Sequence, residues 1–361
     1  MIESFIVKGL WGKQNYSFDF DPNLNIIIGS NGTGKTTLLK LMWYMISGHI
    51  QQALAEVNFN EAEIITKTRQ ISLTKRLSNA KDKHPRDKSP IERGTEVAEV
   101  HIKRRDGSNV FSLWPIPMNE LALLLNTEAP SENDHSLFFP TFRRLEGGFS
   151  FSEGNEYLKI IEGFREFSKR MSHRNHRMMA FADFEDVKGR LNEISSDIRA
   201  KLQPYEEAFS RFLATASNGN LPPDFTTKLK KELVRIEKLR NDFVRPLSLL
   251  SQYVDSFFVE KSIGVTEDLK IGSHENVVRI ENLSAGEKNL LGFLVYAKSI
   301  SSGVMFIDEP ELTLHVDWQR HLLGVLREIA PDIQIFAATH APAIWSAYPD
   351  KEVWLDQQLV I

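Results

Sequence analysis

The apolar residues of this chain fall into two kinds of pattern. Ile26-Ile27-Ile28, Val304-Met305-Phe306-Ile307 and Ile333-Gln334-Ile335-Phe336-Ala337-Ala338-Thr339 are short, nearly continuous apolar runs. Such runs suit strands buried on both faces, as in a parallel sheet. Met1-Ile2-Glu3-Ser4-Phe5 reads as an opening strand, and Trp11-Gly12-Lys13 falls in the first hairpin. A helix start at Thr37-Leu38-Leu39 follows the first run, and Asn289 to Ser299 forms a helix-like run. Residues 155 to 262 read as helical. Leu191, Ile194, Ile198 and Leu202 make one stripe; Leu229, Leu233, Ile236, Leu239 and Phe243 make another. Ser217-Asn218-Gly219-Asn220-Leu221-Pro222-Pro223 breaks them apart, and Pro204 and Pro246 interrupt a hairpin only a few heptads long. The pattern predicts an α/β domain carrying an inserted antiparallel helical hairpin, a short stalk or lid.

Composition narrows this picture in three ways. The 361 residues allow one large or two ordinary domains. The absence of cysteine excludes disulfides, thiolate metal sites and cysteine nucleophiles. The net charge of −4 gives no global case for nucleic acid, so any such surface must be local. With no uninterrupted apolar segment of bilayer length, and an acid at the third position, the expectation is a cytoplasmic chain without membrane contact.

The candidate chemistry begins at Gly29-Ser30-Asn31-Gly32-Thr33-Gly34-Lys35-Thr36, directly after the first apolar run. This is a complete phosphate-binding loop in its required strand–loop–helix context. Its glycines let backbone N–H groups form a concave anion nest at a helix start, which Thr37 continues. Lys35 would reach the β- and γ-phosphates, and the Thr36 hydroxyl would ligate Mg²⁺. Asp308-Glu309-Pro310 ends the second run, at the carboxyl end of a buried strand where open α/β sheets place ligands. Asp308 would hold the Mg²⁺ shell, and Glu309 would orient and deprotonate water; alone, the same residues are a turn leaving a strand. Leu283-Ser284-Ala285-Gly286-Glu287-Lys288 precedes the helix-like run. It offers a hydroxyl and backbone amides to a phosphate, and equally reads as a capping box of Ser284 with Glu287. His340 ends the third run and is either structural or a γ-phosphate contact.

These four pieces, in this order, resemble the heads of ABC-type ATPases in the soluble RecF, structural-maintenance (SMC), Rad50 and OLD group. Walker A is Gly29 to Thr36, the signature Leu283 to Lys288, Walker B Val304 to Glu309 and the switch histidine His340. Asp308-Glu309-Pro310-Glu311-Leu312-Thr313-Leu314-His315 looks most like the OLD-like (AAA15/AAA21-type) ATPases of bacterial anti-phage defence, with a D-loop at Leu314 to Trp318. The resemblance implies an ABC-type P-loop NTPase head, a mixed sheet with flanking helices. Its parts would be 1–154 (Walker A, basic loop, Arg-Arg segment), a helical insertion at 155–262, and 263–361 (signature, Walker B, D-loop, switch histidine). It also implies ATP and Mg²⁺, hydrolysis by Glu309, His340 and Lys35, and an ATP-sandwiched homodimer, a higher oligomer or a pair with a related head, in which Ser284 and Gly286 meet the γ-phosphate of the opposite head.

The chain departs from the transporter and Rad50-type pattern in having no Gln between Gln70 and Gln203. Phe139-Pro140-Thr141-Phe142-Arg143-Arg144-Leu145-Glu146 stands in that place and resembles a segment of anti-phage ATPases. Arg143 and Arg144 would neutralise phosphate charge, pair across the dimer, or form a solvated basic turn. Trp11-Gly12-Lys13 is an adenine and ribose contact or holds a core aromatic. Two basic stretches remain. Lys67 to Lys88 has eight Lys or Arg against two Asp, with Pro85 and Pro90 marking a loop; Arg165 to Arg177 has five against one Glu. They would follow a DNA backbone or be solvated faces. The leading reading is a switch ATPase of an anti-phage system that restrains or releases a separate effector, a nuclease or toxin, since few residues follow His340. The alternative is a RecF- or Rad50-like repair ATPase holding DNA. A transporter subunit is disfavoured by the distance from Walker A to the signature.

Overall fold

The computed structural model describes residues 1–84, 89–118, 136–140, 177–179, 271–273, 276–278, 283–299, 302–312 and 314–357, with scattered helical positions between 196 and 238. The elements run β1 (Ile2–Leu10), β2 (Gln14–Asp19), β3 (Leu24–Ile28), α1 (Lys35–Ser47), α2 (Ile50–Glu56), β4 (Glu61–Thr66), β5 (Arg69–Leu77), β6 (Glu96–Arg104) and β7 (Asn109–Pro117). Then come β8 (Ser136–Phe139), β9 (Arg177–Met179), β10 (Ile271–Ser273), β11 (Asn276–Val278) and α3 (Ala285–Ser299). The chain continues through β12 (Gly303–Asp308), α4 (Val316–Ile329), β13 (Ile333–Thr339), α5 (Pro342–Trp345) and β14 (Glu352–Trp354). Contacts divide it into two units: Met1–Phe181 with Ile300–Leu323 and Ala330–Ile361, and Ala182–Ser299 with Gly324–Ile329.

The first unit is an α/β domain, and it segregates the two kinds of strand pairing. One sheet, ordered β2-β1-β4-β5-β6-β7, is antiparallel throughout. The other, ordered β14-β3-β13-β12-β8-β9, is parallel throughout. The three apolar runs of the sequence are its adjacent central strands β3, β13 and β12. Their β-branched and aromatic residues are buried on both faces, as a covered parallel sheet demands.

One core joins the two sheets through α1. Leu38, Leu39, Leu41, Met42, Trp43 and Met45 are buried around nearly the whole circumference of this helix. Trp43 stacks on Phe138 of β8 at 5.4 Å, Phe306 on Phe336 at 5.1 Å, and Phe20 meets Phe336 edge-on at 4.8 Å. Gln334 is a polar residue in an otherwise apolar strand, and it is wholly buried. Its amide accepts from Ile2 N at 2.6 Å and donates to the Ile2 and Asp21 carbonyls at 2.8 Å each. Those bonds satisfy the group and pin β1 to β13.

Two local readings change. Within 155–262, expected to be helical, Arg177–Met179 is a strand paired in parallel with Ser136–Phe138. A three-residue run carries no periodicity, so its strand character comes from the backbone edge that β8 offers. Gln203, Pro204 and Tyr205 are helical, a backbone that suits the proline's fixed φ. In the second unit the described positions between 196 and 238 are helical. Leu233, expected in an apolar stripe, is exposed beside exposed Val234. β10 and β11 pair as a short antiparallel hairpin. Among the described residues no helix is long and apolar enough to cross a membrane.

Candidate active site

The parallel sheet brings the sequence motifs to one edge by register alone. Ile28 pairs Thr339, Ala338 pairs Asp308, and Phe139 pairs Ile307. The phosphate loop, Asp308-Glu309, His340 and Pro140 therefore all leave the sheet at its carboxyl edge. Arg143 and Arg144, three and four residues beyond Pro140, lie outside the described residues.

Between β3 and α1 the loop turns on Gly32 at φ 83° and Gly34 at φ 94°, the left-handed region open to glycine. Gly34 is the N-cap of α1, so the helix amide end opens directly onto the loop. Gly29 is close-packed, since a Cβ there would lie 2.7 Å from Thr33 Oγ1. That hydroxyl donates to the Ser30 carbonyl at 2.8 Å. Lys35 is buried, and its ammonium donates to the Gly29 and Ser30 carbonyls at 2.8 and 3.0 Å. The cation is thus folded back over the loop, beside the amides that would receive a phosphate. Asn31 is exposed at the loop tip and Thr37 is half-buried in the first turn of α1.

Thr36 Oγ1 donates between the two carboxylate oxygens of Asp308, at 3.0 Å from Oδ1 and 2.8 Å from Oδ2. Asp308 is wholly buried at the end of β12. A hydroxyl and a carboxylate converging beside a phosphate loop are hard oxygen donors, the set Mg²⁺ takes together with phosphate oxygens and water. Among the described residues no group of three His, Asp or Glu could hold a metal without such help. The residues present fit Mg²⁺ bound jointly with a nucleotide.

Glu309 sits at φ 47°, a left-handed conformation that costs a non-glycine residue about 1–3 kcal/mol. The Glu309 N–H donates to the Ala338 carbonyl at 2.8 Å, which holds it there. Its Oε1 lies 3.8 Å from His340 Nδ1, so the carboxylate and imidazole expected from separate motifs face each other.

Two carboxylates at this edge make contacts that no local motif announced. Glu311 Oε1 accepts the His340 N–H at 3.0 Å and approaches Nδ1 at 3.3 Å. Asp356 follows β14, and its Oδ2 lies 3.3 Å from both the amide and the hydroxyl of Ser30. Burial together with the Asp356 charge raises the Tyr16 phenol above its ordinary value. Glu311 was visible in the Asp-Glu-Pro-Glu run without an assigned role. Asp356 depends wholly on β14 pairing with β3.

Trp11 is 40% exposed and lies against the loop, where a Cβ on Gly34 would come within 2.1 Å of its Cη2. It is therefore a surface aromatic of the loop, outside the core. The signature is described within the second unit. Ser284 N–H donates to Glu287 Oε2 at 2.6 Å and Glu287 N–H to Ser284 Oγ at 3.3 Å, a reciprocal capping box at the start of α3. Glu287 is buried in that role, Gly286 is buried behind it, and Ser284 is exposed.

The basic stretch from Lys67 includes strand β5, whose three basic residues are turned to internal partners or buried. Arg76 binds Asp82 at 2.6 Å and Glu99 at 2.6 Å. Lys75 donates to the Val57 carbonyl at 2.6 Å and sits over the Phe59 ring, and burial lowers its pKa. Arg69 is buried, while Lys67, Lys81 and Lys83 remain exposed. Arg86 and Lys88, and residues 165–176 of the second stretch, lie outside the described residues.

The family model AAA_23, described as an AAA domain, matches residues 4–244. A second, AAA_21, an AAA domain whose description names the AbiEii toxin and a type IV TA system, matches residues 190–346. "Retron Ec83 probable ATPase" of Escherichia coli is 22% identical over 386 residues, covering 94% of this chain and 68% of that protein. "Retron Vc95 probable ATPase" of Vibrio cholerae is also 22% identical, with 94% and 70% covered. DNA replication and repair protein RecF of Actinobacillus pleuropneumoniae is 24% identical over 223 residues, covering 57% of this chain and 54% of RecF. With the phosphate loop, the buried Asp308 and the strand-end histidine assembled on one sheet edge, the chain belongs to the AAA-domain family as an ABC-type ATPase of the RecF and SMC group.

Proposed function

We propose that this protein binds and hydrolyses ATP in an Mg²⁺-dependent manner, closing two copies around the nucleotide and opening them after hydrolysis. The observation that supports it most directly is Thr36 Oγ1 seated on both oxygens of Asp308. Two motifs 272 positions apart meet beside a nest whose lysine is already at hand. When ATP enters, the amides of Gly32, Thr33, Gly34 and Lys35 receive phosphate oxygens, with Gly29, Ser30 and Asn31 shaping the loop and Thr36 and Thr37 continuing it. Lys35 exchanges its carbonyl partners for the β- and γ-phosphates. Thr36 and Asp308 would hold Mg²⁺, which supplies charge neutralisation at the phosphates. Glu309 takes the proton of the attacking water, and His340 donates toward the γ-phosphate. Trp11 offers its exposed ring to the base.

One copy presents no second helix start to the γ-phosphate from its own loop. In this reading the exposed Ser284 and the amide at Gly286 of the partner supply it, so each head completes its neighbour. The role proposed for the cycle is that of a cytoplasmic sensor or scaffold in an anti-phage defence system, controlling a separate nuclease or toxin. The retron relatives and the toxin-linked family model support that placement. The RecF relative supports the alternative, DNA binding. That alternative is weaker because Arg69, Lys75 and Arg76 of the first basic stretch are buried or already paired.

The test mixes a Lys35→Ala copy with a Ser284→Ala copy, each inactive alone. A mixed dimer holds one intact site, so hydrolysis returns on mixing. Folded copies that stay inactive together would refute the shared site. Glu309→Gln should accumulate an ATP-bound dimer by light scattering, and a strictly monomeric profile with ATP and Mg²⁺ counts equally against it.

A further inference from the structure

Glu311 stands three residues beyond Asp308 with a side chain only 7% exposed. Its Oε1 does two tasks, accepting the His340 N–H at 3.0 Å and lying 3.3 Å from the ring Nδ1. Its Oε2 is buried with no hydrogen-bond partner. Its carbonyl accepts from Leu314 N–H at 3.0 Å and from Gln319 Nε2 at 3.4 Å. A buried carboxylate with a spare oxygen destabilises a fold relative to an apolar residue of its size. What Glu311 contributes is therefore to be sought in what it holds.

The residue it holds is otherwise loosely kept. The His340 side chain is 47% exposed, and among the described residues its ring pairs with the carboxylates of Glu309, at 3.8 Å, and Glu311, at 3.3 Å. Without Glu311 the imidazole has one long polar contact and free rotamers. With it, backbone and ring are fixed by the same oxygen, in the place where Nδ1 faces the Glu309 carboxylate. With Nδ1 engaged by Glu311, Nε2 is the ring atom left available to a ligand. Through its carbonyl the same residue grips the turn that leads into α4.

We infer that Glu311 is a positioning residue for hydrolysis, setting the imidazole of His340 against Glu309 and tying that placement to the 311–314 turn. This rests on the ATPase reading. Misplacing a catalytic group by about an ångström costs up to about a hundredfold in rate. Glu311→Ala is therefore expected to lower kcat about ten- to a hundredfold, with ATP affinity by calorimetry unchanged because the phosphate loop is intact. Glu311→Gln keeps an oxygen acceptor at the same reach and restores most of the rate. In a His340→Ala background, Glu311→Ala slows the enzyme no further. If Glu311→Ala fails to fold, Glu311→Asp draws the carboxylate back by one methylene and gives the same loss of kcat at unchanged affinity. Wild-type kcat in Glu311→Ala or Glu311→Asp, an additive double variant, or a loss of ATP affinity matching the loss of rate overturns the inference. A second readout is independent of turnover. The imidazole ¹⁵N signals of His340, assigned by their absence in His340→Ala, must shift in Glu311→Ala without nucleotide. Wild-type protein that hydrolyses no ATP defeats the ATPase reading, whereas unmoved His340 signals defeat the Glu311 contact itself.

Discussion

Gly34→Ala isolates two physical demands that one glycine meets. The backbone demand is φ 94°, where an L-residue is strained by about 1–2 kcal/mol. The packing demand is the Trp11 ring, since an alanine methyl would come within 2.1 Å of Cη2 and 2.7 Å of Cζ3. The ring must retreat by more than an ångström to recover ordinary contact, and it is partly exposed, so it can. The strain alone lowers the melting temperature of a unit this size by roughly 2–8 °C, at about 2–4 °C per kcal/mol. Clearing Trp11 adds to that. Thermal melts of Gly34→Ala in wild-type and Trp11→Ala backgrounds separate the two terms. The drop should be smaller without the indole but still present. An equal drop in both backgrounds removes the packing argument, and no drop in either removes the strain argument as well. ATP titration of the same proteins should show affinity lost in both backgrounds, because the amide nest itself is distorted.

Other expectations follow from the same geometry. Asp356→Asn removes a negative charge from Ser30 at an exposed site, worth about 0.2–1 kcal/mol, so ATP should bind up to about fivefold more tightly by calorimetry. Trp43→Ala empties a fully buried site between α1 and β8 and should cost about 3–5 kcal/mol in denaturant unfolding. The Arg76 guanidinium, followed by the Asn79 N–H, holds the Asp82 carboxyl below the usual carboxylate range against the opposing effect of burial. The folded protein then binds fewer protons than the unfolded chain. Its stabilisation is complete above the ordinary carboxylate value, about 3.9, and is lost as pH falls through the lowered one. Acid melts should show that loss in wild type, and Asp82→Asn should lack it.

The sequence by itself was enough to find the central strands, the phosphate loop and Asp308, because each is announced locally. A strand buried on both faces must be apolar at every position, and an anion nest needs glycines at left-handed positions before a helix start. The capping box of Ser284 and Glu287 was legible for the same reason, its two bonds spanning three residues. Tertiary structure decided everything that depends on register between distant strands. It made a strand of Arg177–Met179, which carries no period of its own, by offering the edge of β8. It turned Arg69, Lys75 and Arg76 inward from a stretch that reads as plain surface charge. It brought Asp356 onto Ser30 across the β14–β3 pair, and it set Glu311 beneath His340. Periodicity and motif spacing report what a segment demands of its own backbone. Which carboxylate stands beside which imidazole is a property of the sheet edge, and no short stretch of residues encodes that edge alone.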